Sequence, residues 1–256
     1  MGQKIGLALS GGGYRGVAHV GAIRFIEEVG LDIQVVAGTS AGAIVGALYA
    51  AGNPPESILQ LFKETELFEF SYFRWRGPGL LNTPRFKEYL TPHLKNDDFK
   101  SLDRELYILA TDLLAGEEVV FDQGPLTEAI LASAAFPGIF SPIEIGDRLL
   151  VDGGIFNNLP INVAREKADL VIAMDVNPIN QIPRKQISNT YHVIKRSFEL
   201  ATRRQSREQK KYADVFLSPA KAVEYPMFAH DNADKLYELG YEEARKHRAE
   251  LLALKE

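Results

Sequence analysis

The stretch "VVAGTSAGAIVGA" sets one serine, Ser40, between Gly38 and Gly42, where an apolar strand pattern hands over to an apolar helix pattern. A turn that sharp leaves no room for flanking side chains, which is why it wants glycine on both sides. The hydroxyl is then thrust out above the N-terminus of the following helix, at the carboxyl edge of the sheet, where sites of parallel sheets form. That is the posture of a nucleophile, and its chemistry would be acyl transfer. G-x-S-x-G alone occurs often by chance, so the surrounding residues carry the argument.

Thirty residues earlier stands "LSGGGYRG", again between a strand and a helix. Gly11, Gly13 and Gly16 satisfy G-x-G-x-x-G, the dinucleotide fingerprint. Such a site also wants an acidic residue at the end of the second strand to hold a ribose. The nearby candidate, Asp32, falls before "QVVAG", at the wrong end. A Walker loop is excluded because no Gly-Lys-Ser/Thr follows. A plain tight turn is the third possibility, yet glycine is destabilising by roughly 0.5–1 kcal/mol relative to alanine, and three in a row exceed what a turn needs. The reading that remains is a cradle of backbone N–H groups at a helix start, aimed at an oxyanion.

A serine nucleophile needs a base. The histidines are His19, His93, His192, His230 and His247, and His19 lies inside the first helix pattern. None of the others follows an apolar strand into a glycine turn. Among carboxylates, Asp152 in "RLLVDGGIFNNLP" ends an apolar strand and is followed by two glycines, which let the backbone turn away. Asp175 in "IAMDVNP" and Asp112 in "LATDLLAG" sit similarly, and a strand-terminal aspartate is often only a turn former. Spacing does not choose among the three.

The elements that must position these groups follow from periodicity. "KIGLALS", "IQVVAG", "ELYILATDL", "EEVVFD", "SPIEI", "RLLVDGG", "ADLVIAMDV" and "ADVFLSP" have strand character, with a Gly146-Asp147 turn between the fifth and sixth. Val17, Val20, Ile23 and Ile26 recur at helical spacing, "SAGAIVGALYAAG" is a small-residue helix, and "NPPESILQLFKE" is a helix that Asn53 is placed to cap. "TPRFKEYLTPHL" and "PLTEAILASAAFPG" are further helices. Residues 187–212 and 234–254 suggest two long helices. Strand–helix alternation predicts a parallel sheet covered on both faces. With 256 residues, no repeat and no linker, one domain over 1–256 is expected, residues 187–256 forming its helical C-terminal part.

Composition bounds the chemistry. The formal net charge of −5 gives no reason to expect nucleic acid, and the absence of cysteine excludes disulfides and thiolate metal sites. No secretory segment precedes the first strand and no stretch approaches 18 uninterrupted apolar residues, so a cytoplasmic location is expected. Two stretches suit peripheral contact with a membrane. In "LFEFSYFRWRGPGLL", Phe68, Phe70, Tyr72, Phe73 and Trp75 alternate with Arg74 and Arg76, which fits an interface, an acyl-pocket cover or a loop folded on the core. Residues 187–212 carry Lys195, Arg196, Arg203, Arg204, Arg207, Lys210 and Lys211 against Glu199 and Glu208, a solvated face or one drawn to anionic headgroups.

Three motifs in order, "GGGYRG" at 11–16, "GTSAG" at 38–42 and "DGG" at 152–154, give a chain that resembles the patatin-like phospholipases, most closely their compact bacterial members. "SAAFPGIFSP" and "NNLPI" support the likeness, which covers most of residues 4–180 and is loose beyond Ile182. The resemblance implies a three-layer α/β/α sandwich with a mainly parallel central sheet, related to cytosolic phospholipase A2. It implies a Ser–Asp dyad without histidine, Ser40 as nucleophile and Asp152 as its activator. Gly11, Gly12, Gly13 and Arg15 would form the oxyanion hole, Gly38 and Gly42 the elbow, and Gly153 and Gly154 the loop after the aspartate. Gly154 stands where many relatives have alanine. The implied activity is hydrolysis of lipid or phospholipid esters through an acyl-enzyme, with no cofactor and no metal. A small-ester esterase, thioesterase or acyltransferase would use the same machinery, and a non-catalytic binding protein would keep the fold. Head group, acyl preference and oligomeric state are not legible.

Overall fold

The apolar runs become eight strands: β1 (Ile5–Leu9), β2 (Val35–Thr39), β3 (Glu105–Asp112), β4 (Glu117–Phe121), β5 (Ile143–Ile145), β6 (Arg148–Asp152), β7 (Leu170–Met174) and β8 (Val215–Leu217). The computed structural model describes residues 2–64, 88–227 and 231–255. The aromatic stretch around Trp75, the start of "TPRFKEYLTPHL" and His230 lie outside the described residues. The helices are α1 (Val17–Glu28), α2 (Ala41–Ala50), α3 (Pro55–Glu64), α4 (Leu126–Ala134), α5 (Ile161–Lys167), α6 (Thr190–Thr202), α7 (Arg204–Gln209), α8 (Ala233–Lys246) and α9 (Arg248–Ala253).

One sheet runs in the order β5-β6-β3-β2-β1-β7-β8, with β4 pairing β3 off this path. Its centre, β3-β2-β1-β7-β8, is parallel, and β4, β5 and β6 join antiparallel. The anticipated hairpin turns at Gly146 between β5 and β6. Side chains alternate across the sheet. Leu7, Leu9 and Val36 enter a core with α1, α2 and α8, whereas Ala8, Val35 and Ala37 enter a second core under α5. That is the three-layer α/β/α sandwich, mainly parallel at its centre.

The chain leaves β1 toward β2 on one side and returns to pair β7 on the other. Strand order therefore reverses at β1, and an open α/β sheet forms its crevice at such a point. The glycine loop leaves β1 there, and Ser40 leaves β2 beside it.

Three expectations are corrected. Asn53 does not cap α3: its amide donates to the carbonyls of Leu48 (2.8 Å) and His93 (2.9 Å), and the helix starts from Pro54. The helix expected over 187–212 breaks at Arg203, whose backbone leaves helical values (φ −103°, ψ 2°) while its side chain is buried. The segment 234–254 likewise breaks at His247 (φ −92°, ψ 18°) into α8 and α9. The C-terminal part is not peripheral. β8 extends the sheet beside β7, and α8 packs along α1.

Candidate active site

β2 ends at Thr39, and Ser40 adopts φ 53° and ψ −118°, a region that non-glycine residues rarely enter. Such strain costs on the order of 1–3 kcal/mol and persists only where neighbours over-determine it. Here the Ser40 N–H donates to Ser133 Oγ (2.9 Å), and Thr39 Oγ1 donates to the Asn157 carbonyl (2.8 Å). The Ser40 carbonyl accepts from Ala43 and Ile44 in the first turn of α2. The flanking glycines are required by space. A Cβ on Gly38 would lie 2.4 Å from the Gly42 carbonyl oxygen, and one on Gly42 would lie 2.2 Å from that of Leu9. Ser133, within a stretch noted only for family likeness, is the support that sequence spacing gave no means to find.

Strand register brings the carboxylate. Thr39 pairs with Leu109, and Ala110 pairs with Asp152, so positions 40 and 152 arrive at one level on either side of β3. At Gly153 the backbone crosses β3 so closely that a Cβ would sit 2.4 Å from the Leu109 carbonyl oxygen. Asp152 is buried, and its Oδ1 accepts from the Gly154 N–H (2.7 Å). Burial pushes its pKa up to about 6, against the opposing pull of the Gly154 N–H and of a hydrogen bond with the Ser40 side chain. The pair thus lies in mutual contact at the rim of the sheet.

The other candidate bases are elsewhere engaged. Asp112 closes the β3–β4 turn, accepting from Leu114 and Ala115. Asp175, at the end of β7, accepts from the Asn177 N–H and is hydrogen-bonded to Ser10, behind the glycine loop. His19 is buried, its Nε2–H donates to the Ser10 carbonyl (2.9 Å), and burial lowers its pKa to about 4, so it is a neutral prop for the loop. Asp32 bonds Gln34 before β2 begins, at the edge of the sheet away from the glycines.

In the glycine loop, Gly11, Gly12 and Arg15 line a cavity with Ser40, Asp152 and Gly154. The Gly11 N–H donates to the Asn158 carbonyl (2.9 Å), so it is unavailable to an oxyanion, a correction to its expected part. Gly13 has φ +59° and packs beneath Met227, where a Cβ would meet the carbonyl oxygen at 2.2 Å. It shapes the loop from outside the cavity lining. The cavity is about 540 Å³, room for a drug-sized ligand. Its lining combines apolar side chains, Phe136, Pro137, Ile139, Ile155 and Phe198, with polar ones, Arg15, Asn177, Glu199, Thr202 and Arg203. Among the described residues no cluster of three or more His, Cys, Asp or Glu is arranged to hold a metal.

Fold and site together define an α/β/α protein with a strained serine at a strand–helix elbow and a buried carboxylate beside it. The chain belongs to the patatin-like phospholipase family, whose profile matches residues 7–165. It is 38% identical over 180 residues to an uncharacterised NTE family protein of Mycobacterium bovis, covering 68% of this chain and 49% of that one. It is 32% identical over 189 residues to the lysophospholipase NTE1 of Pyricularia oryzae, covering 70% of this chain and 12% of that one. The chain thus spans about half the length of the first relative and a small part of the second. In fold it is similar to VipD from Legionella pneumophila, with a TM-score of 0.58 at 14% identity, over 100% of this chain and 67% of that one.

Proposed function

We propose that the protein hydrolyses lipid or phospholipid acyl esters through a Ser40–Asp152 dyad and an acyl-enzyme. Ser40 Oγ attacks the ester carbonyl carbon as Asp152 takes its proton. The negative oxygen that forms is met by backbone N–H groups of the loop at Gly12 and Arg15 and by the N-terminus of α2, groups already oriented before reaction. Collapse breaks the ester bond, and the alcohol leaves with the proton held by Asp152. Water then attacks the acyl-Ser40 carbonyl, again losing its proton to Asp152, and releases the acid and the free serine.

The carrying observation is the contact of a buried carboxylate with a serine held at positive φ. A pKa near 6 suits the role, since Asp152 is largely ionised at pH 7 yet basic enough to share a proton. Family membership and the apolar residues in the cavity lining support a lipid acyl group, as does the lysophospholipase name of one relative. What supports peripheral membrane contact is the apolar side of α6, where Val193, Ile194 and Leu200 are exposed on the helix that also supplies Phe198 to the cavity. No helix among the described residues is long and apolar enough to cross a membrane.

The test is labelling by a fluorophosphonate together with turnover of a panel of p-nitrophenyl esters and phospholipids. Ser40→Ala should lose label and at least about 10³-fold in kcat, with its circular dichroism unchanged. Undiminished turnover by that variant would remove Ser40 from the mechanism.

A further inference from the structure

Arg203 is the residue at which the long C-terminal helix breaks, and its side chain turns inward to line the cavity that holds Ser40. It is 8% exposed. Among the described residues its guanidinium makes no hydrogen bond and no ion pair, and Glu199 and Asp175 act on it only through space. Glu199 is itself paired with Arg196 at 3.2 Å. Asp175 accepts from Asn177 and sits behind the loop. A guanidinium carries five donors and cannot shed its charge, so burial without acceptors is unfavourable.

A second cation faces the same space. Arg15 is anchored by Nε to the Tyr225 carbonyl (2.8 Å), by Nη1 to Asn177 Oδ1 (2.6 Å) and by Nη2 to the Val223 carbonyl (3.1 Å). Burial and then repulsion from Arg203 lower its pKa to about 10. Two like charges at one cavity repel each other, and an anion between them would relieve that repulsion. The remaining charged groups facing it are Glu199, already paired, and Asp152, turned to Ser40. The same cavity is also lined by the apolar Phe136, Ile139, Ile155 and Phe198, so a matching ligand is amphipathic.

We propose that Arg203, with Arg15 beside it, forms an anion subsite that takes the phosphoryl group of an acyl ester whose chain lies along Phe136, Ile139 and Ile155. A planar fork matches phosphate oxygens two at a time, which an ammonium does not. The proposal rests on the reading of Ser40 as nucleophile only for the place of the ester; anion binding itself is measurable without turnover.

The experiment titrates Ser40→Ala protein by calorimetry with a short-chain lysophosphatidylcholine below its micelle concentration, with the matching monoacylglycerol and with inorganic phosphate. The lysolipid should bind at least about tenfold more tightly than the monoacylglycerol, a difference of about 1.4 kcal/mol. It should also bind far more tightly than phosphate. Adding Arg203→Gln should reduce the preference over monoacylglycerol to less than about twofold, and Arg203→Lys should leave it intermediate. Adding Glu199→Gln should strengthen lysolipid binding, because a competing carboxylate is removed; a merely structural arginine gives no such gain. Retained preference in Arg203→Gln, equal weakening for both lipids, or phosphate binding as tightly as lysolipid overturns the proposal. Should Arg203→Gln lack a cooperative melt, unchanged affinity in Glu199→Gln overturns it instead. Failure of the dyad appears separately, as wild-type protein that prefers the lysolipid but cleaves no ester.

Discussion

In the proposed dyad Asp152 combines two properties that conflict: it is buried, and it would have to be ionised to accept a proton. Burial raises its pKa from 3.8 to about 6. Activity should therefore rise as pH passes through about 6, since the base works deprotonated, and kcat/KM of the wild type should fall about tenfold per unit below it. Asp152→Asn should abolish that activity while stabilising the fold. The sign follows from linkage. Below about pH 4 both folded and unfolded chains hold the proton, and the variant gains nothing. As pH climbs through 4–6, the folded wild type must ionise a carboxylate that burial disfavours, and it loses roughly 3 kcal/mol by pH 7. Denaturant titrations at pH 4 and pH 7 should show the variant's advantage only at the higher pH; an equal difference at both would show that burial of charge is not the cause.

At the scale of elements, close approach between backbones sets the positions of the reactive groups. α2 lies against β1 because Gly42 has no Cβ, and α8 lies against α1 for the same reason at Gly21 and Gly240. A Cβ on Gly240 would stand 1.8 Å from the Ala18 carbonyl oxygen. Gly240→Ala should gain up to about 1 kcal/mol of helix propensity, yet overlap should outweigh it by about 1–3 kcal/mol. A lowered urea midpoint with unchanged slope is the expected result; a raised midpoint would mean that the helices part without loss. Strand runs were legible from periodicity because both faces of the central strands are buried and their patterns are almost wholly apolar. Helix ends were less so. Asn53, which looks like a cap, instead ties the α2 exit to His93, and Arg203 and His247 break helices that carry no proline or glycine at those points.

For the whole molecule, the basic excess expected on residues 187–212 is divided: Arg207, Lys210 and Lys211 stay exposed, while others are buried or paired. Arg203 is buried, Arg196 pairs Glu199 and Arg204 pairs Glu208. On α6, Val193, Ile194 and Leu200 are exposed as well, and the proposed membrane contact rests on them. Val193→Glu with Ile194→Glu should weaken co-sedimentation with phospholipid vesicles at least about threefold and leave turnover of a water-soluble ester intact. Equal sedimentation of variant and wild type would dismiss α6 as the contact. These residues lie beyond the stretch matched by the family profile, in the part of the chain whose site contribution, Phe198 to Arg203, had no motif to announce it.

By itself the sequence determined the local geometry: which runs are strands, where the chain must turn without a Cβ, and which serine stands at the elbow. Those depend on neighbours in the chain, and glycine spacing and apolar period record them. Residue spacing left Asp112, Asp152 and Asp175 open and the family resemblance alone pointed to Asp152; the contact that supports that reading depends on strand order and register. Three aspartates end three similar strands, and only the antiparallel entry of β6 beside β3 brings one of them level with position 40. The engagement of the Gly11 N–H, the anchoring of the Ser40 amide by Ser133 and the inward turn of Arg203 likewise arise between residues far apart in the chain, and short-range pattern holds no trace of such contacts.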